Sequence, residues 1–98
     1  MSRLTPRKNF RIPILEALQD AGGVSIRIDI ALRLVGKMTL SQGDLEPRPD
    51  GYPNFVLAVG YEIGDMRKDE LIEQETNDGV VRISDKGSRY LSENRRQS

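Results

Sequence analysis

The 98-residue sequence contains neither cysteine nor histidine. The absence of cysteine excludes disulfide bonds and thiolate metal sites. The absence of histidine removes the commonest general base and metal ligand, and it excludes hydrolases built on a Ser–His or Cys–His pair. The sequence also has no apolar run long enough to span a membrane and no secretory signal at its N-terminus. We therefore expect a cytoplasmic protein, away from the membrane, that needs neither a metal ion nor a cofactor.

Carboxylates remain as candidates for chemistry, but no pair of them is set apart from the rest. Asp69-Glu70 and the pair Glu73 and Glu75 lie in strongly charged stretches, which is typical of a solvated face. No acid and base are brought together by their spacing. We therefore expect a protein that binds a partner and has no catalytic residues of its own.

The formal charge of zero hides an uneven distribution along the chain. Residues 1–40 carry seven basic against three acidic residues, residues 41–79 three against ten, and residues 80–98 five against two. A nucleic-acid-binding domain usually presents a local basic face, which the two terminal segments together can provide. The acidic middle must then face away from nucleic acid, or the partner is not nucleic acid.

Apolar side chains recur at helical spacing in three stretches, which predict helices at residues 13–21, 27–37 and 54–68. Pro13 suits the first turn of the first helix, and Gly22-Gly23 ends it. Before the second helix, apolar and polar residues alternate, which predicts a short strand at residues 24–26.

A capping-box spacing precedes the third predicted helix, and a pair of glycines lies inside it. Ser41 and Asp44 have the spacing of a capping box and predict one helical turn ending at Leu45. Gly60 and Gly64 lie one turn apart inside the third helix. They indicate either a closely packed neighbouring element or two tolerated glycines, and the spacing does not decide between these interpretations.

Two short runs, at residues 71–75 and 80–84, each contain at least one β-branched residue and flank a turn rich in Asn, Asp and Gly. This pattern predicts a β-hairpin, and a short last helix follows over residues 85–93. The expected fold is α+β: a winged helix-turn-helix with a three-helix core, a C-terminal β-hairpin wing and a short final helix. Its core is predicted to contain Ile14, Leu18, Ile30, Leu34, Val59, Ile63, Met66, Leu71 and Ile83.

Several segments carry a family resemblance. The stretch 66–72 resembles the L-x-K-x-G-L-I join between recognition helix and wing, and the stretch 79–87 resembles G-x-(W/Y)-x-(I/L)-T-x-x-G. Together with the stretches 14–18 and 40–46, and with Asn54 before Val56, they resemble the N-terminal winged-helix domain of Mrr-type restriction endonucleases. Glu70 departs from the pattern, which has glycine there.

The resemblance covers residues 12–91, and these 98 residues include no nuclease domain. It therefore implies a module that binds DNA or another target and does not cut it. Residues 1–11 are then a basic N-terminal arm, and residues 92–98 a flexible tail.

The leading hypothesis is a small protein that binds double-stranded DNA, a bacterial or mobile-element regulator or targeting module. In a helix-turn-helix the exposed N-terminal face of the third helix enters the major groove. Asn54 is placed either to read adenine there or only to cap the helix. The other expected contacts are Tyr61 and a set of basic side chains for phosphate, namely Arg7, Lys8, Arg11, Arg27, Arg33, Lys37, Arg67, Lys68 and Arg82.

The alternative hypothesis is a winged helix adapted to bind a protein. It uses an acidic strip that would dock a basic partner or mimic the charge of nucleic acid. The sequence leaves open whether two copies of the chain form a homodimer. The acidic strip consists of Glu62, Asp65, Asp69, Glu70, Glu73 and Glu75.

Overall fold

A computed structural model describes residues 4–74, 76 and 78–96. Over these residues the chain forms five α-helices, a 3₁₀ turn at Arg7–Phe10 and two short strands, which confirms the α+β class. The helices are α1 (Arg11–Asp20), α2 (Arg27–Leu34), α3 (Gln42–Leu45), α4 (Asn54–Lys68) and α5 (Asp85–Arg96). The strands are β1 (Val24–Ser25) and β2 (Val81–Arg82). In these parts of the chain, no helix is both long enough and apolar enough to cross a membrane.

Helix α1 begins at Arg11, two residues before the predicted start, because the 3₁₀ turn leads directly into it. The turn is held in place by Phe10, whose side chain is buried in the core. The helix ends as predicted at the glycine pair: Gly22 has a φ of 81°, and the Gly23 N–H donates to the Leu18 carbonyl at 2.7 Å. Glycine adopts this left-handed conformation without steric cost.

The predictions for α2, α3 and α4 agree with the structure to different degrees. Helix α4 has the predicted bounds, whereas α2 ends at Leu34 and not at residue 37. The capping box of α3 is confirmed, since the Asp44 N–H donates to Ser41 Oγ at 3.0 Å and the Ser41 N–H donates to Asp44 Oδ2 at 2.9 Å. The last helix, α5, extends to Arg96, beyond the predicted residue 93.

The predicted hairpin of two five-residue strands is wrong in its extent. Strand β2 pairs antiparallel with β1, and on its other side the described residues contribute a single bridge, between Ile72 and Ile83. The turn shortens the ladder because Asp78 Oδ1 accepts the Val80 N–H at 3.1 Å, which holds this backbone in a turn. Residues Glu75 and Asn77 lie outside the described part of the chain.

The core lies between α1, α2, α4 and α5. Eight of the nine predicted core residues are buried, and the ninth, Ile83, is partly buried and packs against them. Five further large residues belong to the core, namely Phe10, Leu15, Phe55, Ile72 and Leu91. Phe10 was missed because it lies in a stretch interpreted as a polar arm.

The glycines of α4 and α5 differ in what surrounds them. A Cβ built on Gly60 or Gly64 meets no atom within 4 Å, so the close-packing interpretation of this pair is wrong and the two glycines are simply tolerated. A Cβ on Gly87, by contrast, would lie 2.0 Å from the Leu71 carbonyl oxygen. The final glycine of the stretch 79–87 is therefore required by contact between α5 and the chain after α4.

The chain after α4 turns sharply into that contact. Leu71 N–H donates to the Met66 carbonyl at 2.9 Å and Glu70 N–H donates to the Arg67 carbonyl at 3.0 Å, which is the bonding of a Schellman motif. Glu70 occupies the left-handed position of this motif, with a φ of 65°. This explains why the motif that the sequence resembles has glycine there. Ser84 then links both ends: its hydroxyl donates to the Glu70 carbonyl at 2.5 Å and accepts the Gly87 N–H at 2.9 Å.

Candidate nucleic-acid interface

Residues 4–11 of the N-terminal arm lie along α4 and bring predicted DNA-binding residues against predicted protein-binding residues. Arg11 donates from Nε to Glu62 Oε2 at 2.8 Å and from Nη1 to Asp69 Oδ2 at 3.0 Å. Arg7 is hydrogen-bonded to Asp65, and its Nε lies 3.6 Å from Glu62 Oε1. Residues of the two predicted surfaces therefore pair with each other along this face of α4, two arginines with three carboxylates.

Glu62 is the centre of this arrangement. It was placed in the acidic strip that would dock a partner, which requires an exposed side chain, but it is buried. Its residue surface is only 1% exposed, because the arm covers the side of α4 on which it lies. A buried carboxylate is costly unless it is paired and hydrogen-bonded, and Arg11 provides both. Burial lowers the pKa of Arg11, but the hydrogen bond and the charge of Glu62, followed by those of Asp69, outweigh burial and raise it.

Within the described part of the chain, the other members of the acidic strip form no ion pair with the arm. Glu70 and Glu73 are exposed, and Glu75 lies outside the described residues. Arg67, one of the predicted phosphate contacts, donates from Nε to the Glu73 carbonyl at 3.3 Å.

A groove of about 320 Å³ lies between α2 and the N-terminal half of α4. Arg27 comes from α2, Arg48 and Tyr52 from the loop after α3, and Leu57 from α4. Arg48 Nε lies 3.5 Å from Asp50 Oδ2, and both Tyr52 and Leu57 are exposed. Asp50 lines the groove as well, so the groove combines two arginines and one aspartate with aromatic and aliphatic side chains, and we refer to it as the α2–α4 groove.

A second depression, of about 250 Å³, adjoins this groove and shares Arg48 and Leu57 with it. Tyr61 lies on its rim, 57% exposed, with the Arg7 guanidinium carbon 5.7 Å from the centre of its ring. This separation is within the range of a cation–π contact. The exposed face of the N-terminal half of α4 is therefore apolar and aromatic, with basic side chains at its edges.

Asn54 begins α4 but does not cap it, so the capping interpretation is wrong. The N-cap residue is Pro53, and the Asn54 Nδ2 donates to the Gly43 carbonyl at 2.9 Å. The side chain thereby ties the start of α4 to α3. The prediction that Asn54 reads adenine stays a prediction.

Asp44 fixes the arm to α3. Beyond its capping-box bonds, its Oδ1 accepts the Thr5 N–H at 2.9 Å and its Oδ2 accepts the Thr5 hydroxyl. The residue is only 1% exposed. Burial would raise the pKa of Asp44, but the hydrogen bonds from Thr5 and Ser41 outweigh burial and hold it below its ordinary value.

The other predicted phosphate contacts fall into two groups. Lys37 pairs with Asp20, and Arg82 donates to Asp78 at 2.8 Å and to Thr76 at 3.1 Å. The hydrogen bonds from Arg82 and Thr76 hold the pKa of Asp78 well below its usual range. Among the described residues, four predicted contacts are exposed and have no ion pair, namely Lys8, Arg27, Arg33 and Lys68.

Sequence reasoning missed two residues of this region. Arg48 lines both depressions, but its stretch, Pro47 to Gly51, was interpreted only as a loop. Thr5 was interpreted as part of a polar arm. Neither has a sequence signal of its own, because both depend on the position of α3 relative to α4.

The geometry defines a small α+β domain whose helix α4 lies between a basic arm and the α2–α4 groove. The model of one family, the Mrr N-terminal domain, matches residues 8–93. Since the match spans most of the chain, the protein belongs to the Mrr N-terminal domain family, as the sequence resemblance predicted. Membership suggests a restriction-related module that is associated with DNA. Searches of curated proteins and of solved structures gave no match.

Proposed function

We propose that this chain is a winged-helix module that binds double-stranded DNA, with α4 as its recognition helix and with no catalytic activity of its own. The observation that carries the proposal is the α2–α4 groove, where Arg27 and Arg48 flank the exposed N-terminal half of α4. In a helix-turn-helix this half of the recognition helix contacts base edges while neighbouring elements contact the backbone. Family membership supports the same role.

The side chains divide between the two kinds of contact that DNA offers. Arg27 is proposed to bind a phosphate beside the groove, and the exposed Arg33 a phosphate further along α2. Arg48 is proposed to bind a phosphate beside the groove as well, because its 3.5 Å ion pair with the exposed Asp50 is a surface pair, which contributes little and can be exchanged for a phosphate. Leu57 and Tyr61 face the base edges, where apolar contact with thymine methyl groups is available. A regulatory or targeting role follows, in which any cleavage of DNA is left to a separate domain or protein.

The protein-docking alternative has less support. Its acidic strip would need free carboxylates, yet Glu62, Asp65 and Asp69 are paired with Arg7 and Arg11. Docking a basic protein there would first require displacement of the arm.

The experiment is a titration of generic duplex DNA by fluorescence anisotropy at several salt concentrations. Binding should weaken with salt at a log–log slope of about −0.9 per phosphate contact, because each contact releases counterions. Arg27→Ala and Arg48→Ala should each make the slope shallower by about one unit.

The matched control is Arg89→Ala. Arg89 is exposed on α5 and lines neither the α2–α4 groove nor its neighbour, so its loss should leave the slope unchanged. Absence of DNA binding by the wild-type chain at about 50 mM salt would overturn the proposed function, since even non-specific binders hold duplex DNA under those conditions.

A further inference from the structure

The recognition helix of the proposed function carries three carboxylates on one side. Glu62, Asp65 and Asp69 are spaced by three and four residues, which places them on a common face of α4. A helix with three uncompensated negative charges would be repelled by the phosphate backbone that it has to approach. The negative charge of this face must therefore be offset by positive charge before α4 can enter a groove of DNA.

The arm meets that requirement with two arginines. Arg11 bridges Glu62 and Asp69, at 2.8 Å and 3.0 Å, and Arg7 pairs with Asp65 and reaches Glu62 at 3.6 Å. Each of the three carboxylates thus has a guanidinium partner. The two arginines come from the 3₁₀ turn and from the first residue of α1, so buried Phe10, which lies between them, fixes both in place.

The same contacts argue against phosphate binding by these arginines. The Arg11 side chain is only 18% exposed, and turning it toward a phosphate would take from buried Glu62 its hydrogen bond and its nearer guanidinium, leaving only Arg7 Nε at 3.6 Å. Leaving one charge of a buried pair without its partner is strongly unfavourable. Arg7 is more exposed, but its guanidinium is held by Asp65 and lies over Tyr61.

We infer that Arg7 and Arg11 are positioning residues for DNA binding: their two positive charges offset most of the negative charge on the acidic face of α4, and they do not themselves contact phosphate. This inference rests on the proposed DNA-binding function. It separates two kinds of basic residue, those that offset carboxylates of this chain and those, such as Arg27 and Arg33, that face solvent and are available to DNA.

The test uses the exposed pair, Arg7 and Asp65, because its loss leaves the core intact. DNA affinity and its salt dependence are measured for R7Q, D65N and R7Q/D65N, with thermal unfolding of each variant as a check on folding. R7Q should weaken binding by about threefold to tenfold, the order expected for one uncompensated unit charge near the phosphates. D65N should strengthen it by a similar factor, and R7Q/D65N should return to within about twofold of the wild type with the same salt slope.

R33Q is the matched control, since Arg33 is exposed and forms no ion pair among the described residues. It should make the slope shallower by about one unit, and D65N should not restore its salt slope. If R7Q/D65N instead shows the shallower slope of R33Q, Arg7 contacts phosphate and the inference is overturned. If the wild-type chain binds no DNA, the proposed function fails and the inference fails with it, and this outcome is distinguishable because it precedes any comparison of variants.

Discussion

The two halves of α4 are built for different purposes. In the C-terminal half, from Glu62 to Lys68, the two carboxylates, Glu62 and Asp65, are held by the arm, and the chain beyond the helix turns under α5. In the N-terminal half, from Asn54 to Tyr61, large side chains such as Leu57 and Tyr61 remain exposed beside the α2–α4 groove. The C-terminal half therefore serves mainly the stability of the fold, and the N-terminal half is the part that a partner can reach.

The difference shows how little charge alone reveals about a binding surface. The arm and α2 are both basic in sequence. In the structure, Arg7 and Arg11 are paired with carboxylates of α4, whereas Arg27 and Arg33 face solvent. The number of basic residues is thus a poor guide to how many can bind phosphate.

The largest expected effect on stability is that of Gly87→Ala. Gly87 lies in α5 and contacts Leu71, just beyond the C-terminal half of α4. The new Cβ would lie 2.0 Å from the Leu71 carbonyl oxygen, so either the chain after α4 or α5 must move. We expect the free energy of unfolding to fall by about 4 kcal/mol, although alanine by itself favours a helix by about 1 kcal/mol relative to glycine. Chemical denaturation followed by circular dichroism measures the change.

Gly60→Ala is the matched control for that substitution. A Cβ at Gly60 meets no atom within 4 Å, so the helix propensity of alanine should act alone and stabilise the protein by about 0.5–1 kcal/mol. Equal effects of the two substitutions, in either direction, would contradict the assignment of the Leu71–Gly87 contact.

A smaller loss of stability is expected from Asp44→Ala. This substitution removes contacts between the arm and α3, next to the N-terminal half of α4. It removes the capping box of α3 and both hydrogen bonds from Thr5, and we expect a cost of about 2–3 kcal/mol at neutral pH. Glu46→Ala, at an exposed position directly after α3, should change stability by less than about 0.5 kcal/mol.

The effect of Asp44→Ala should depend on pH in a defined direction. The pKa of Asp44 is lowered in the folded protein, so its contribution is complete above the ordinary value of 3.8 and is lost as the pH falls through the folded value. The difference in stability between wild type and Asp44→Ala should therefore stay constant from neutral pH down to the ordinary value of 3.8 and shrink below it. A difference that shrinks already near neutral pH would be inconsistent with this assignment.

The parts of the fold that could be predicted are those specified by local sequence. Helix α4 has its predicted bounds because its apolar residues keep helical spacing, and the glycine pair 22–23 ends α1 because both residues adopt positive φ. The capping box of α3 was equally local, since its two partners are three residues apart.

The parts that could not be predicted depend on contacts distant in sequence. Phe10 is a core residue only because the arm folds back onto α4, and Glu62 is buried only because Arg11, 51 positions earlier, pairs with it. Asn54 was interpreted either as a residue that reads adenine or as a helix cap, and neither interpretation included the acceptor that the position of α3 gives to its amide, the Gly43 carbonyl. Periodicity reports which side chains share a face, and it does not report what covers that face.

The smallest expected effect is a gain in stability from Glu70→Gly at the end of the C-terminal half. Glu70 has a φ of 65°, a conformation that costs a residue with a Cβ about 1 kcal/mol and costs glycine nothing. Part of that gain is offset because glycine loses more chain entropy on folding. We therefore expect a net stabilisation of about 0.5–1 kcal/mol, measured as a shift of the denaturation midpoint.

Two controls separate backbone strain from the other consequences of Glu70→Gly. Lys68→Gly lies two residues earlier at an exposed position with ordinary helical geometry, so it should destabilise the protein by about 1 kcal/mol. Glu70→Ala removes the same carboxylate but keeps a Cβ at positive φ, so it should give little or none of the gain. If Glu70→Ala stabilises the protein as much as Glu70→Gly, relief of charge repulsion along the acidic strip is the cause and the strain argument is wrong. If only glycine gives the gain, the turn after α4 is strained at this residue.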